Sequence, residues 1–123
     1  MTLQELYTAI GGDYDQAIRV LRVEKLVDKH ISRMADNDIV EQLLAAGGDM
    51  DPVRMFERAH AAKGVCANLG LTEMAEIASA ISEEFRPGNS RKMTDAEVRQ
   101  RLERIAALNR ITVEGIRKYA AEK

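Results

Sequence analysis

The chain has 123 residues, 46% of them hydrophobic, a size that suits one compact domain over residues 1–123. Its 18 basic and 20 acidic side chains give a net charge of −2, so we expect no nucleic-acid partner. A single cysteine allows no internal disulfide, and the N-terminus lacks the basic start and apolar run of a signal peptide. No apolar run reaches the roughly 18 residues of a membrane span, so we expect a cytoplasmic protein without a membrane anchor.

Helix start signals recur along the chain. They are capping-box spacings and one proline at a first helical position, found at Thr2/Glu5, Asp13/Gln16, Thr94/Glu97 and Asp51-Pro52. Glycine pairs and the segment RPGNS predict helix ends and a loop, and no segment alternates as a half-buried strand would. The sequence therefore predicts an all-α protein with helices near 2–10, 14–34 (broken around Arg22), 38–46, 51–69, 72–86 and 94–121.

Apolar spacing predicts how these helices pack. Stripes at helical period occur in three segments: Val23, Val27, Ile31 and Met34; Met74, Ile77, Ala78, Ile81 and Phe85; and Val98, Leu102, Ile105, Leu108, Thr112, Ile116 and Tyr119. With the 51–69 helix they give four long elements, which favour an antiparallel four-helix bundle. The shorter segments 2–10 and 38–46 are expected to cap its ends, with short additional helices on the N-terminal side.

The 51–69 helix combines a core stripe with an unusual outer face. Its core positions recur at steps of four and three: Met55, Ala59, Ala62, Cys66 and Leu69. His60 lies roughly 140° from the centre of this stripe and therefore faces solvent, and Gly64 lies almost opposite the stripe. Val53, Phe56 and Ala67 share the outer half, with Lys63 at its flank. The spacing predicts an apolar contact patch around an exposed histidine.

Gly64 is the residue of this face that most needs an explanation. Glycine costs about 1 kcal/mol relative to alanine in a helix interior. Because Gly64 faces away from the core, close packing between helices cannot account for it. The remaining physical reason is that another molecule approaches the backbone beside His60.

The segment AHAAKGVCANLG closely resembles the signature of histidine phosphotransfer (HPt) domains of bacterial two-component phosphorelays. In that signature a lysine follows the histidine at the third position and glycines follow at the fourth and tenth; here these are His60, Lys63, Gly64 and Gly70. The flanking segments LYTAIGGDYDQAIRVL and LTEMAEIASAISEEFR are also similar to bacterial members, so that the resemblance covers most of residues 3–86. Ala62 departs from the leucine that the family commonly has there.

The resemblance implies a role for each of these residues. His60 would accept a phosphoryl group from a receiver-domain aspartate and pass it to another receiver. An exposed imidazole is mostly neutral near pH 7 and needs no special base. Lys63 would offset the charge of the phosphoryl group, and Gly64 would leave room for the receiver. The apolar outer residues would contribute to receiver docking: Val53, Phe56 and Ala67.

The resemblance also implies a carrier rather than a kinase. The chain shows no ATP-binding motif, and the Mg²⁺ that assists transfer is expected in the partner receiver, with no cofactor on this chain. Since the core stripes are accounted for within one chain, we expect a monomer that forms transient complexes with receivers. Met1 and the helical ends favour a free-standing protein over a piece of a sensor kinase.

Two other interpretations account for part of the pattern. A non-phosphorylated interaction module, a degenerate HPt domain that docks receivers or kinases, would explain the apolar patch but does not require a histidine at its centre. Metal binding through His30 and His60 is disfavoured, because they lie on different helices without further ligands at suitable spacing. We expect His30 to be a partly buried structural residue and Cys66 a small buried hydrophobe.

Overall fold

The computed structural model describes all 123 residues and contains seven α-helices and no strand. In chain order the helices are α1 (Leu3–Ile10), α2 (Tyr14–Leu21), α3 (Glu24–Met34), α4 (Ile39–Ala46), α5 (Pro52–Asn68), α6 (Thr72–Glu84) and α7 (Asp95–Ala121). The predicted all-α class is confirmed, and the predicted helix ends agree within about two residues. No helix combines the length and the apolar character that a membrane crossing requires.

Two of the predicted capping boxes form completely. The Thr2 hydroxyl accepts a hydrogen bond from the backbone N–H of Glu5 at 3.0 Å, and the Glu5 carboxylate accepts from the backbone N–H of Thr2 at 2.7 Å. Thr94 and Glu97 make the same reciprocal pair at the start of α7. Each box satisfies two backbone donors that a helix start would otherwise leave unpaired.

The third predicted box forms only in part. Asp13 accepts from the backbone N–H of Gln16 at 3.0 Å, but the Gln16 side chain accepts from Arg19 instead of returning to the cap. The predicted break between α2 and α3 is confirmed at Arg22, whose φ of 77° lies in the left-handed region. Val23, predicted in the core stripe, is instead 51% exposed, because it precedes the first turn of α3 as its N-cap.

The bundle is antiparallel, and one of its four walls is made of two helices. Helices α5, α6 and α7 are three walls, and α3 followed by α4 forms the fourth. Helix α3 lies beside the C-terminal part of α7, where Asp28 accepts from the Tyr119 hydroxyl, whereas α4 packs on both α5 and α7. The expectation that 38–46 caps an end is therefore wrong. Its apolar residues are at helical spacing and face the core: Val40, Leu43 and Ala46.

A single cluster of 27 buried hydrophobic residues joins all seven helices. In the predicted apolar stripe of α7, Leu108 is only partly buried, and the neighbouring Asn109 is buried instead. Ile77 of the predicted α6 stripe is also only partly buried. Helix α1 lies outside the four walls as predicted, but it packs along the side of α7 instead of capping an end, while α2 packs on α3 and α5. The short helices thus close one side of the bundle and leave the outer face of α5 uncovered near its middle.

Candidate phosphotransfer site

Helix α5 begins at a strong start signal and presents its inner side to the core. The carboxylate of Asp51 accepts from the backbone N–H of Arg54 at 3.0 Å, and Pro52 occupies the first turn, where no intrahelical partner for its missing N–H is needed. The predicted core positions are all buried: Met55, Ala59, Ala62, Cys66 and Leu69. This rigid inner side fixes the direction in which the outer residues of α5 point.

His60 is exposed on the outer face of α5, as predicted. Its ring stacks on Phe56, with 5.6 Å between the ring centroids and an interplanar angle of 21°. No protein group makes a hydrogen bond with either of its ring nitrogens. The stacking holds the ring against the helix surface, so that its nitrogens remain accessible to a molecule approaching from solvent.

A charged pair at the C-terminal end of α6, Glu83 and Arg86, lies beside this stack. The Arg86 guanidinium lies 5.4 Å from the centroid of the Phe56 ring, and the Glu83 carboxylate accepts three hydrogen bonds from its Nε and Nη2 groups, the shortest at 2.6 Å. The hydrogen bond from Arg86, together with a smaller contribution from the charge of Lys63, lowers the pKa of the Glu83 carboxyl. Phe56 therefore contacts both the Arg86 guanidinium and the His60 ring.

Lys63 is half-buried at the boundary between α5 and α6 and makes no ion pair. It lines a shallow depression of about 310 Å³ together with Ala67, Ala75 and the carboxylates of Asp13 and Glu76, neither of which forms an ion pair with it. This position agrees with the predicted place of Lys63 at the flank of the His60 face. Because no carboxylate lies within ion-pair distance, its charge is available to a bound anion.

Gly64 faces open solvent. A Cβ atom built at this position would meet no atom within 4 Å, apart from the helix's own neighbouring backbone. The expectation that helix packing does not explain Gly64 is thus confirmed. Any side chain here would extend into the space beside His60, one turn away on the same face.

Gly70 plays a different part, in the turn between α5 and α6. Its φ is +69°, and its carbonyl accepts from the backbone N–H of Asp13 at 2.7 Å. Nearby, the Tyr7 hydroxyl donates to the carbonyl of Leu69 at 2.7 Å. These contacts tie the turn to α1 and to the start of α2, and so fix the angle at which α6 packs beside the His60 face.

The patch around His60 is less apolar than its spacing indicates. Val53 is 61% exposed, but Phe56 and Ala67 are half-buried. Arg86 covers part of Phe56, as described above, and the exposed Glu57 flanks the face one turn before His60. The structure confirms that Val53, Phe56 and Ala67 share a face with His60; their predicted part in docking stays a prediction.

The other residues singled out in the sequence lie away from this face. Cys66 is fully buried, and burial raises the pKa of its thiol to about 12, in agreement with a core role. His30 is half-buried on α3, as predicted, and lies on a different helix from His60. No group of three or more histidine, cysteine or carboxylate side chains is arranged to hold a metal ion.

The family model for the Hpt domain matches residues 25–111 of the chain, which is well over half of its length. The chain belongs to the Hpt domain family. Hpt domains are phosphotransfer modules of two-component systems; they carry phosphoryl groups rather than act as kinases, and they interact with receiver domains. The resemblance of AHAAKGVCANLG to this family is thus confirmed. Comparisons with curated proteins and with solved structures found no match.

Two side chains of this Hpt domain site, Arg86 and Glu83, were not identified from the sequence. Arg86 was placed where the predicted 72–86 helix meets the loop RPGNS and was given no role; it reaches the stack because α6 packs antiparallel to α5. Phe56 was predicted on the correct face, and its spacing of one turn from His60 indicates that the two rings can touch. No local signal links Arg86 to either residue.

Proposed function

We propose that His60 accepts a phosphoryl group from the aspartyl phosphate of one receiver domain and passes it to the aspartate of another. The observation that supports this most directly is an exposed imidazole without hydrogen-bond partners, beside a glycine with open space around it. The lone pair of a ring nitrogen attacks phosphorus, and the P–O bond to the aspartate breaks, leaving a carboxylate. The other ring nitrogen releases its proton to solvent, and the product is a phosphoramidate.

Lys63 supplies positive charge on the α6 side of His60, and Arg86 positions the ring on which His60 stacks. The phosphoryl group brings roughly two negative charges. Lys63 is without an ion pair and lies one turn from the histidine, so that it can offset part of this charge directly. Arg86 is already paired with Glu83 and contacts Phe56, so its role is to hold the Phe56 ring against which His60 stacks.

Gly64 leaves room for the receiver loops that surround the aspartyl phosphate. Val53, Phe56 and Ala67 then form part of the docking surface, with the open backbone of Gly64 at its centre. Exposed Val53 contributes the largest apolar area of the three residues.

The metal that assists transfer is proposed to come with the receiver. Phosphoryl transfer depends on positioning and on charge neutralisation. This chain supplies the nucleophile and a cation, and we assign the Mg²⁺ to the receiver domain, with no cofactor bound here. Receivers of two-component systems with which the chain would exchange phosphate are expected in the cytoplasm.

Residues 1–123 are proposed to act as one monomeric domain. The buried residues of α1 and α2 belong to the same core as the family-matched residues 25–111, so the N-terminal helices are part of the same folded unit. The His60 face stays free for a receiver in a monomer. Light scattering that showed a stable dimer covering His60 would contradict this assignment.

The test is incubation with a receiver domain carrying ³²P-phosphoaspartate. The protein is expected to become labelled with the acid-labile, base-stable behaviour of a phosphoramidate, and His60→Gln should show no label while keeping its helical signal and melting temperature. His30→Gln is the matched control and should be labelled normally. An unlabelled parent protein that still binds the receiver would favour the interaction-module alternative.

A further inference from the structure

Glu83 is connected to the His60 ring through two side chains. The Glu83 carboxylate accepts hydrogen bonds from Nε and Nη2 of Arg86, whose guanidinium lies 5.4 Å from the centroid of the Phe56 ring. That centroid lies 5.6 Å from the centroid of the His60 ring. Because the two separations meet at Phe56, the guanidinium lies at most about 11 Å from the His60 ring. Charges at this separation act on one another at low salt, where the screening length is about 10 Å or more.

The turn after α6 holds the Glu83–Arg86 pair in place. The backbone N–H of Asn89 donates to the Arg86 carbonyl at 3.0 Å, and the side-chain amide of Asn89 donates to the Glu83 carbonyl at 3.0 Å. Farther along the turn, the buried Glu84 carboxylate accepts from the backbone N–H groups of Lys92 and Met93. The ion pair therefore lies on a closed turn, which keeps it beside the His60 face.

Glu83 also interacts with the charge of Lys63. The hydrogen bond from Arg86 is the largest cause of the lowered pKa of the Glu83 carboxyl, and the charge of Lys63 contributes further. This interaction is mutual, so that Glu83 offsets part of the positive charge that Lys63 presents to His60. Asp13 and Glu76 line the same depression as Lys63, but neither of them forms an ion pair with an arginine. Glu83 thus differs from these acids in acting on both cations near the histidine.

We propose that Glu83 sets how firmly His60 holds the phosphoryl group, an inference that rests on the proposed function of His60. The phosphoryl group brings roughly two negative charges, which Lys63 and Arg86 attract and Glu83 repels. By neutralising Arg86 and offsetting part of the charge of Lys63, Glu83 keeps the phosphohistidine less stable than the two cations alone would make it. Onward transfer is thereby favoured: the receiver aspartate forms the new P–O bond, the N–P bond to His60 breaks, and the imidazole takes a proton from solvent.

The test loads His60 chemically with potassium phosphoramidate, with His60→Gln as the blank, and follows the phosphoryl group by ³¹P NMR. Without a receiver, the phosphohistidine of Glu83→Gln should last about threefold longer than that of the parent. With an unphosphorylated receiver domain, Glu83→Gln should retain about threefold more of the phosphoryl group at equilibrium. Glu83→Asp keeps the charge and should stay close to the parent. Both differences should shrink in about 1 M salt, where the screening length is about 3 Å.

Glu73→Gln is the matched control on the same helix. The Glu73 side chain is 51% exposed, against 52% for Glu83, and it also accepts hydrogen bonds from Nε and Nη2 of an arginine, Arg104. This variant should behave as the parent. The proposal is overturned if Glu83→Gln and Glu73→Gln give equal values, or if the effect of Glu83→Gln is independent of salt. A loaded parent that passes nothing to the receiver would contradict the proposed function instead, while the receiver-free lifetimes would still decide the role of Glu83.

Discussion

Gly64 and Gly70 belong to one sequence signature, yet their surroundings in the structure are opposite. A Cβ at Gly64 would meet nothing within 4 Å, whereas a Cβ at Gly70 would lie 2.2 Å from the carbonyl oxygen of Asp13. Gly70 also has a φ of +69°, while Gly64 lies within regular helix. The fold requires glycine at position 70 and does not require it at position 64.

This difference separates two physical causes within one motif. Gly70 is needed because its backbone conformation and the contact with Asp13 leave no place for a side chain. Gly64 weakens its helix without improving any contact inside the chain, so its use must lie in contact with another molecule. Substitutions at the two positions should therefore change different measurements.

Gly70→Ala is expected to have the largest effect on stability. The left-handed backbone and the clash with Asp13 together should lower the free energy of unfolding by about 3 kcal/mol. Gly88→Ala is the control, because Gly88 has a φ of +91° but open space around it, and it should lose only about 1 kcal/mol. Urea unfolding of both variants measures the difference. Equal losses would mean that the close contact with Asp13 adds nothing.

Two neighbouring acids, Glu84 and Glu83, also differ in how much the fold needs them, because only Glu84 is buried. Its carboxylate is 3% exposed and accepts hydrogen bonds from Arg91 and from the backbone N–H groups of Lys92 and Met93. Burial alone would raise the pKa of this carboxyl, but these hydrogen bonds outweigh burial, and the pKa is lowered. Glu84→Gln should therefore destabilise the protein by about 2 kcal/mol at neutral pH.

The sign of the pKa shift fixes how this loss depends on pH. Because the folded state favours the charged carboxylate, its stabilisation is complete above the ordinary value of 4.5 and disappears as the pH falls through the lowered folded-state pKa. Urea unfolding should show the parent and Glu84→Gln converging in acid. Exposed Glu83 is the control, and Glu83→Gln should change stability little. A constant gap between parent and Glu84→Gln at all pH values would contradict the assignment.

Gly64→Gln should leave stability almost unchanged while slowing phosphoryl acceptance about tenfold, which corresponds to about 1.4 kcal/mol in the barrier. The new side chain would occupy the space through which the aspartyl phosphate reaches His60. Gly64→Ala should raise the free energy of unfolding by less than about 1 kcal/mol and slow transfer less. Rates of ³²P transfer from a receiver measure both variants. Transfer by Gly64→Gln at the parental rate would show that the steric explanation is wrong.

Lys63→Ala is expected to have the smallest effect. Exposed charge pairs contribute less than about 1 kcal/mol. Phosphoryl acceptance should therefore be about threefold slower, or the lifetime of the phosphorylated form about threefold shorter. The fold should be retained, because Lys63 lies at the edge of the core. Lys118→Ala, at an exposed position on α7, is the matched control. Kinetics unchanged in both directions would reduce Lys63 to an ordinary surface residue.

Local sequence patterns were sufficient to predict the positions of the helices and which face of α5 points to solvent. Capping residues, apolar periodicity and the absence of alternation depend on near neighbours, and they predicted every helix, the break at Arg22 and the outward direction of His60 and Gly64. The same spacing wrongly predicted Val23 to be buried. Val23 continues the apolar stripe of α3 in sequence, but it is the N-cap of that helix and is exposed.

Only the tertiary structure decided how distant segments meet. It placed α4 in a wall of the bundle, brought Arg86 onto Phe56 and closed Gly70 against Asp13. Each of these contacts joins residues far apart in the chain, and their distances depend on packing angles that no local spacing specifies. The sequence by itself therefore determined the helices, the bundle class and the histidine face of α5, while packing decided which cations reach that face and which glycine is required by the fold.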